Sequence, residues 1–154
     1  MGNDINNGFW GESEHGIDDK GRLLVPLQYR ENLGNEFVVT RGPDRVILVF
    51  RLDAWEQIEG ALYRDEMGSK SRILQRLFSS RFEVSMDGRG RFSIPKVLRE
   101  WAQIEPGGCV ILLGQGRTIE IWSQKIWKQY QDNFTSANTL EAAAEMGLGE
   151  LFRL

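Results

Sequence analysis

Two short stretches carry residues able to do chemistry at matching spacing: "DDKGRLLVPLQYRE" at 18–31 and "DGRGRFSIPKVLRE" at 87–100. Each opens on an aspartate, with Gly21 or Gly90 three residues on and Arg22 or Arg91 four residues on. A carboxylate there can accept hydrogen bonds from backbone N–H groups two residues on, and the glycine can take a positive φ. Each stretch is therefore predicted to be a tight turn between two strands. Such a turn fixes the directions of the side chains it carries. Lys20 and Arg22 in the first turn, and Arg89 and Arg91 in the second, then present donors to phosphate oxygens, and arginine can also grip a guanine edge with two of them. Asp18, Gly21, Asp87 and Gly90 are read as the residues that hold the turns. The same spacing allows a purely local Asp–Arg pair with glycine as turn punctuation, but both copies keep Asp, Gly and Arg in register, which favours a shared task. Arg30 and Arg99, each followed by a glutamate, are expected to make local salt bridges or packing contacts rather than to touch a ligand.

Other chemistries find little support. Asp18 and Asp87 as a catalytic acid and base would need a nucleophile set, a phosphate-cradling glycine loop or metal-ligand spacing beside them, and none is present in the sequence. One histidine and one cysteine cannot build a Cys/His metal site, and one cysteine cannot form an internal disulfide. The expectation is a chain that is not an enzyme, with no cofactor, metal or small-molecule substrate. Cys109, in the apolar run "GGCVILLG", is expected to be a buried structural thiol, and His15 to be structural or solvent-facing. Trp55, Trp122 and Trp127 are read as core or subunit-contact residues.

The 154-residue chain has a net charge of −3, which argues against a general polyanion binder. Its distribution is uneven: residues 81–126 hold seven basic and five acidic side chains, while 1–54 hold six and nine. A polyanion site is therefore expected to be local. The first turn also contains Asp19, so the second is expected to be the stronger contact. No apolar run approaches the roughly 20 residues of a membrane helix. The start, "MGNDINNGFW", is polar rather than signal-like, and a cytoplasmic location is expected.

The echo of the two stretches extends into a full repeat. A slide of 69 positions superposes Asp18 on Asp87 and Pro26 on Pro95; a slide of 72 then matches "VVTRG" with "VILLG" and Trp55 with Trp127. In each copy the pattern predicts a short strand (about 14–17, and 81–86), the turn, and a second strand (22–25, and 91–94). A helix begun by proline follows (27–33, and 96–102), then two strands around a turn (37–41 and 46–50, and 109–113 and 118–122). A closing helix is opened by Asp53 in a capping box with Glu56, or by Ser123. One such unit is too small to bury a good core alone, so the copies are expected to interlock as one pseudo-symmetric domain of mixed α+β, strand-rich class. The expected boundaries are a mobile N-terminal extension (1–11), module one (12–54), a helical linker (55–80), module two (81–126) and a C-terminal helical tail (127–154). Within the linker, Ile73, Leu74 and Leu77 form an apolar stripe beside Arg72 and Arg76; the tail exposes Leu148, Leu151 and Phe152.

The ordered series "FWGESEHGIDDKGRLLVP", "VVTRG", "LDAWEQIE", "QRLFSS", "MDGRGRFSIP" and "IEIW" resembles the MraZ family of bacterial transcription regulators across nearly the whole chain. The resemblance implies two SpoVT/AbrB-type swapped-hairpin modules and assembly into homo-oligomeric rings. It also implies sequence-specific binding of double-stranded DNA at short direct repeats. Those sites lie upstream of a division and cell-wall gene cluster that usually includes the family member's own gene, and imply a nucleoid-associated protein, a repressor by promoter occupation. It ties DNA binding to Asp18 and Arg22, and to Asp87 and Arg91. Multiplying weak contacts on one ring would offset the net negative charge. The competing reading is an oligomeric scaffold or antitoxin-like module whose arginines meet an acidic protein surface.

Overall fold

The structure, a computed structural model, describes residues 8–64 and 68–152. The first copy contributes β1 (Glu12–Gly16), β2 (Arg22–Leu24), α1 (Leu27–Leu33), β3 (Glu36–Arg41), β4 (Ile47–Arg51) and α2 (Leu52–Leu62), followed by α3 (Ser69–Phe78). The second contributes β5 (Phe82–Ser85), β6 (Arg91–Ser93), α4 (Lys96–Ala102), β7 (Cys109–Gly114), β8 (Thr118–Ser123) and α5 (Gln124–Tyr130), before α6 (Ser136–Glu145). Pro26 and Pro95 stand one position earlier than expected, just ahead of the helices, at φ −56° and −54°. Their ψ angles of 141° and 140° remain extended, so the chain leaves the strand there and turns into the helix at the next residue.

Strand pairing shows how the copies depend on each other. Six strands form an antiparallel sheet in the order β1-β7-β8-β4-β3-β5, and β2 pairs with β6 in a separate two-stranded ribbon. The first strand of each copy lies against the hairpin of the other. Exchange of the copies maps this order onto itself, which is the pseudo-symmetry of a swapped-hairpin module. Alternation along the strands places Phe37, Val39, Ile47 and Val49 on one face with Val110, Leu112, Ile119 and Ile121. Leu23 and Phe92 of the ribbon, with Leu98 of α4, close that core from the other side, and Phe37 meets Phe92 edge-on at 5.1 Å.

The register corrects one detail of the repeat. Phe37 and Val39 take the places that Val110 and Leu112 take in the second copy, one residue further than the 72-position slide; that slide holds only from β4 and β8 onward. A slip by one would have put Val38 in place of Phe37 and reversed the buried face. The difference is absorbed in the first hairpin turn, which carries one more residue.

Other local expectations change as well. α2 starts at Leu52 with Arg51 ahead of it and no side-chain cap, so the Asp53–Glu56 capping box does not form. Asp53 instead binds the Arg51 guanidinium at 3.0 Å. Cys109 is exposed, because it begins β7 on the side of the sheet away from the core. His15 is half-buried, with Nε2 2.7 Å from Ser13 Oγ. Residues 8–11, expected within the N-terminal extension, are built into the sheet end: Phe9 is buried and exchanges two 2.8 Å backbone hydrogen bonds with Gly116. The remainder of that expectation, residues 1–7, lies outside the described residues. In the linker, α3 is held by Phe78, whose ring meets Trp55 at 5.5 Å, and Trp55 packs on Phe50 of the sheet. Ile73 and Leu74 of its apolar stripe stay exposed.

Residues 125–154 form a second compact unit. In it Trp127, Tyr130 and Phe134 pack ring to ring, and the Thr135 hydroxyl caps α6 by accepting from the Asn138 N–H at 3.1 Å. Leu148 is exposed there, as expected, while the side chains of Leu151 and Phe152 lie outside the described set.

Candidate nucleic-acid interface

Each turn is built around its aspartate. Asp18 Oδ1 accepts from the N–H groups of Lys20 (2.9 Å) and Arg22 (2.8 Å), and Oδ2 from Arg22 Nε (2.7 Å). In the second copy Asp87 Oδ1 accepts from the N–H groups of Arg89 and Arg91, and Oδ2 from Arg91 Nε, all at 2.9 Å. The backbone closes the loops, with Gly21 N–H donating to the Asp18 carbonyl and Gly90 N–H to that of Asp87, both at 3.0 Å. Gly21 and Gly90 have φ of 77° and 85°, conformations that strain an L side chain.

The local Asp–Arg pair therefore forms, and it leaves the arginine usable. Only Nε is committed, so the two terminal nitrogens of Arg22 and Arg91 make no hydrogen bond among the described residues. The carboxylates are fixed as anions. Backbone N–H donation from Arg91, and then from Arg89 and the Arg91 guanidinium, holds the Asp87 carboxyl at about 2, against the opposing effect of desolvation. Asp18 is lowered chiefly by the N–H of Arg22.

The ribbon sets the direction of these groups. In β2, Leu23 points into the core while Arg22 and Leu24 face outward; in β6, Phe92 is buried while Arg91 and Ser93 face outward. Arg22 lies opposite Ser93, and Arg91 opposite Leu24. Both arginines thus project from one outer face of a narrow antiparallel ribbon, with exposed Lys20 and Arg89 at its two ends.

Arg30 and Arg99 do pack, as expected, each bonded within its own copy but laid over a glycine of the opposite one. Arg30 Nε donates to the Val25 carbonyl at 2.7 Å, and its guanidinium covers Gly90, so that a Cβ there would sit 2.4 Å from Arg30 Cζ. Arg99 Nε donates to the Ile94 carbonyl at 3.0 Å and covers Gly21 in the same way. Neither pairs with its neighbouring glutamate among the described residues. Each turn thereby gains a third cation from the other half of the chain. The signal was in the sequence, since Arg30 and Arg99 recur with the glycines they cover, but the crossing cannot be read without the pairing of β2 with β6.

Two interlocked copies of a strand, Asp-Gly-Arg turn, strand and helix, sharing one sheet and presenting paired turns on a common ribbon, define a double swapped-hairpin protein of SpoVT/AbrB type. A family model described as "MraZ protein, putative antitoxin-like" matches residues 9–76 and again 77–149. A transcriptional regulator MraZ from Halothermothrix orenii is 36% identical over 92% of this chain and 99% of its own length. One from Thermoanaerobacter sp. (strain X514) is 40% identical over 80% of the chain and 86% of its own. A third, from Caldanaerobacter subterraneus subsp. tengcongensis, is 41% identical over 78% and 84%. The chain belongs to the MraZ family.

Proposed function

We propose that this chain is a transcription regulator, not an enzyme, that binds double-stranded DNA sequence-specifically through its Asp-x-x-x-Arg turns. The observation that carries the reading is the β2–β6 ribbon, whose outer face bears Arg22 and Arg91 with their terminal nitrogens unspent. A two-stranded ribbon is of a size the DNA major groove admits, and arginine can read guanine there. Lys20, Arg89, Arg30 and Arg99 supply surrounding charge for the phosphates, which position the protein. The regulator works as a homo-oligomeric ring on short direct repeats, because identical modules in a head-to-tail ring face the DNA in the same sense. It represses by covering the promoter of a division and cell-wall cluster that includes its own gene, as a cytoplasmic, nucleoid-associated protein. The names of its relatives support the regulatory part of this reading.

Fluorescence anisotropy with the duplex upstream of its own gene tests it. Arg91→Ala is expected to weaken binding by about 5- to 150-fold, the worth of about 1–3 kcal/mol for one good base contact. Arg22→Ala should weaken it less, as Asp19 lies in that turn. Unchanged affinity in both variants would refute the assignment. The acidic balance of the chain favours one second reading, an antitoxin-like scaffold that holds an acidic protein. Binding to such a partner, with no preference between that duplex and a scrambled one, would select it.

A further inference from the structure

We infer that the two ends of the β2–β6 ribbon read DNA differently: Leu24, with Leu27 after it in the chain, makes the end beside the second turn selective for thymine through the C5 methyl group. The inference rests on the DNA reading proposed above and names the residues that set its specificity. Pseudo-symmetry supplies the comparison. The end of β2 runs along the second turn, where the Val25 N–H donates to the Gly90 carbonyl at 2.9 Å; the end of β6 runs along the first, where the Ile94 N–H donates to the Gly21 carbonyl at 3.0 Å. The slide of 69 positions superposes these two ends and sets Leu24 on Ser93 and Leu27 on Lys96. One frame is therefore built twice and faced with different chemistry.

At the first turn, Arg22 and Lys20 are accompanied by exposed Ser93 and Lys96. At the second, Arg91 and Arg89 are accompanied by Leu24, 48% exposed, and Leu27, 77% exposed. The fold does not account for these leucines. Leu23 and Phe92 already supply the buried side of the ribbon, and Ser93 shows that the frame accepts a polar residue at the place of Leu24. Exposed leucine is favoured only where something apolar covers it. The arginines alongside select a polyanion as the occupant, and on the major-groove edges of base pairs the apolar group is the thymine methyl. The spacing suits it. Leu24 stands directly opposite Arg91, and side chains so placed are about 4.5–5.5 Å apart at Cβ, close to the rise of about 3.4 Å from one base to the next. With Arg91 on a guanine, Leu24 falls on a neighbouring base pair, where a thymine buries its methyl and a cytosine does not. At the other end Ser93 stands opposite Arg22, and a hydroxyl both donates and accepts, so several bases are tolerated there. The ribbon thus has one discriminating end and one permissive end.

Replacement of thymine by uracil tests it, because uracil keeps every hydrogen-bonding group of thymine and lacks only the methyl. Anisotropy at one fixed salt concentration compares the duplex upstream of its own gene with versions in which one thymine at a time is replaced. The wild-type chain is expected to lose about fourfold in affinity at a thymine next to a guanine, the worth of one buried methyl. The double variant Leu24→Ser, Leu27→Lys gives the second end the residues of the first. It should bind the unmodified duplex more weakly and respond to no uracil at that step, while melting like the wild type and keeping its mass in light scattering. A flat uracil scan with the wild-type chain, or a uracil effect of the same size in the double variant, would overturn the inference. So would a double variant that loses its mass in solution, since the leucines would then be serving a contact between copies. A wild-type chain that does not distinguish the upstream duplex from a scrambled one would instead remove the DNA reading itself, and this inference with it.

Discussion

Gly90→Ala is the sharpest probe of how the two copies hold each other. The methyl group would meet two obstacles. At φ 85° a side chain costs about 1–2 kcal/mol. It would also sit 2.4 Å from Arg30 Cζ and 2.6 Å from Arg30 Nε. Arg30 must then move, and its 2.7 Å bond to the Val25 carbonyl, a charge-assisted one worth about 1.5–3 kcal/mol, is lost. The sum is about 2.5–5 kcal/mol, or about 5–20 °C in melting temperature for a chain of this size. Gly88 provides the control in the same turn, since it lacks a positive φ and a Cβ there meets nothing within 4 Å. Gly88→Ala should be neutral, or more stable by up to about 1 kcal/mol. Thermal melts of these two variants, and of Gly90→Ala in an Arg30→Ala background, complete the measurement. With Arg30 already gone, the Gly90 substitution should cost only the backbone strain, leaving a coupling of about 1.5–3 kcal/mol between residues from different repeats. Equal melting of the two glycine variants, or a Gly90 cost that ignores Arg30, would refute the crossed packing.

Asp87→Asn should change the acid response. Because the folded carboxyl lies at about 2, below its usual 3.8, its contribution is present above about pH 4 and fades as pH falls toward 2. The gap in urea midpoint between wild type and variant should therefore narrow between about pH 5 and pH 2.5, and a constant gap would count against the pinned carboxylate. Trp101→Phe should cost about 1–2 kcal/mol in a thermal melt. The indole Nε1 donates to the carbonyls of Gly42 (3.2 Å) and Val46 (3.0 Å), which brace a turn where Asp44 and Arg45 hold positive φ without a glycine. A variant as stable as wild type would show that the turn stands without that brace.

The turns were the most legible part of the molecule because their chemistry is local. Asp18 and Asp87 reach backbone N–H groups two and four residues away, so type and spacing were enough to place them. The helices after Pro26 and Pro95 were legible for the same reason. Cys109 misled because an apolar run predicts burial for the strand as a whole, while alternation gives its first residue to the outside. The Asp53 capping box failed because α2 begins at Leu52, which puts Asp53 inside the first turn rather than ahead of it, where its carboxylate accepts from the Ala54 N–H and the Arg51 guanidinium.

What the chain determined by itself, then, was that it repeats, that each repeat makes a rigid Asp-Gly-Arg turn, and that one repeat could not bury its own core. Only the tertiary structure decided which strand joins which hairpin. β1 could in principle pair with β3 or with β7, and local pattern does not distinguish two copies of one motif. The choice is made by long-range packing, where Phe37 against Phe92 and the register of β2 with β6 tie the halves together. The same crossing carries Arg30 to Gly90 and Arg99 to Gly21, so each turn is completed by a residue 60 or more positions away in the sequence.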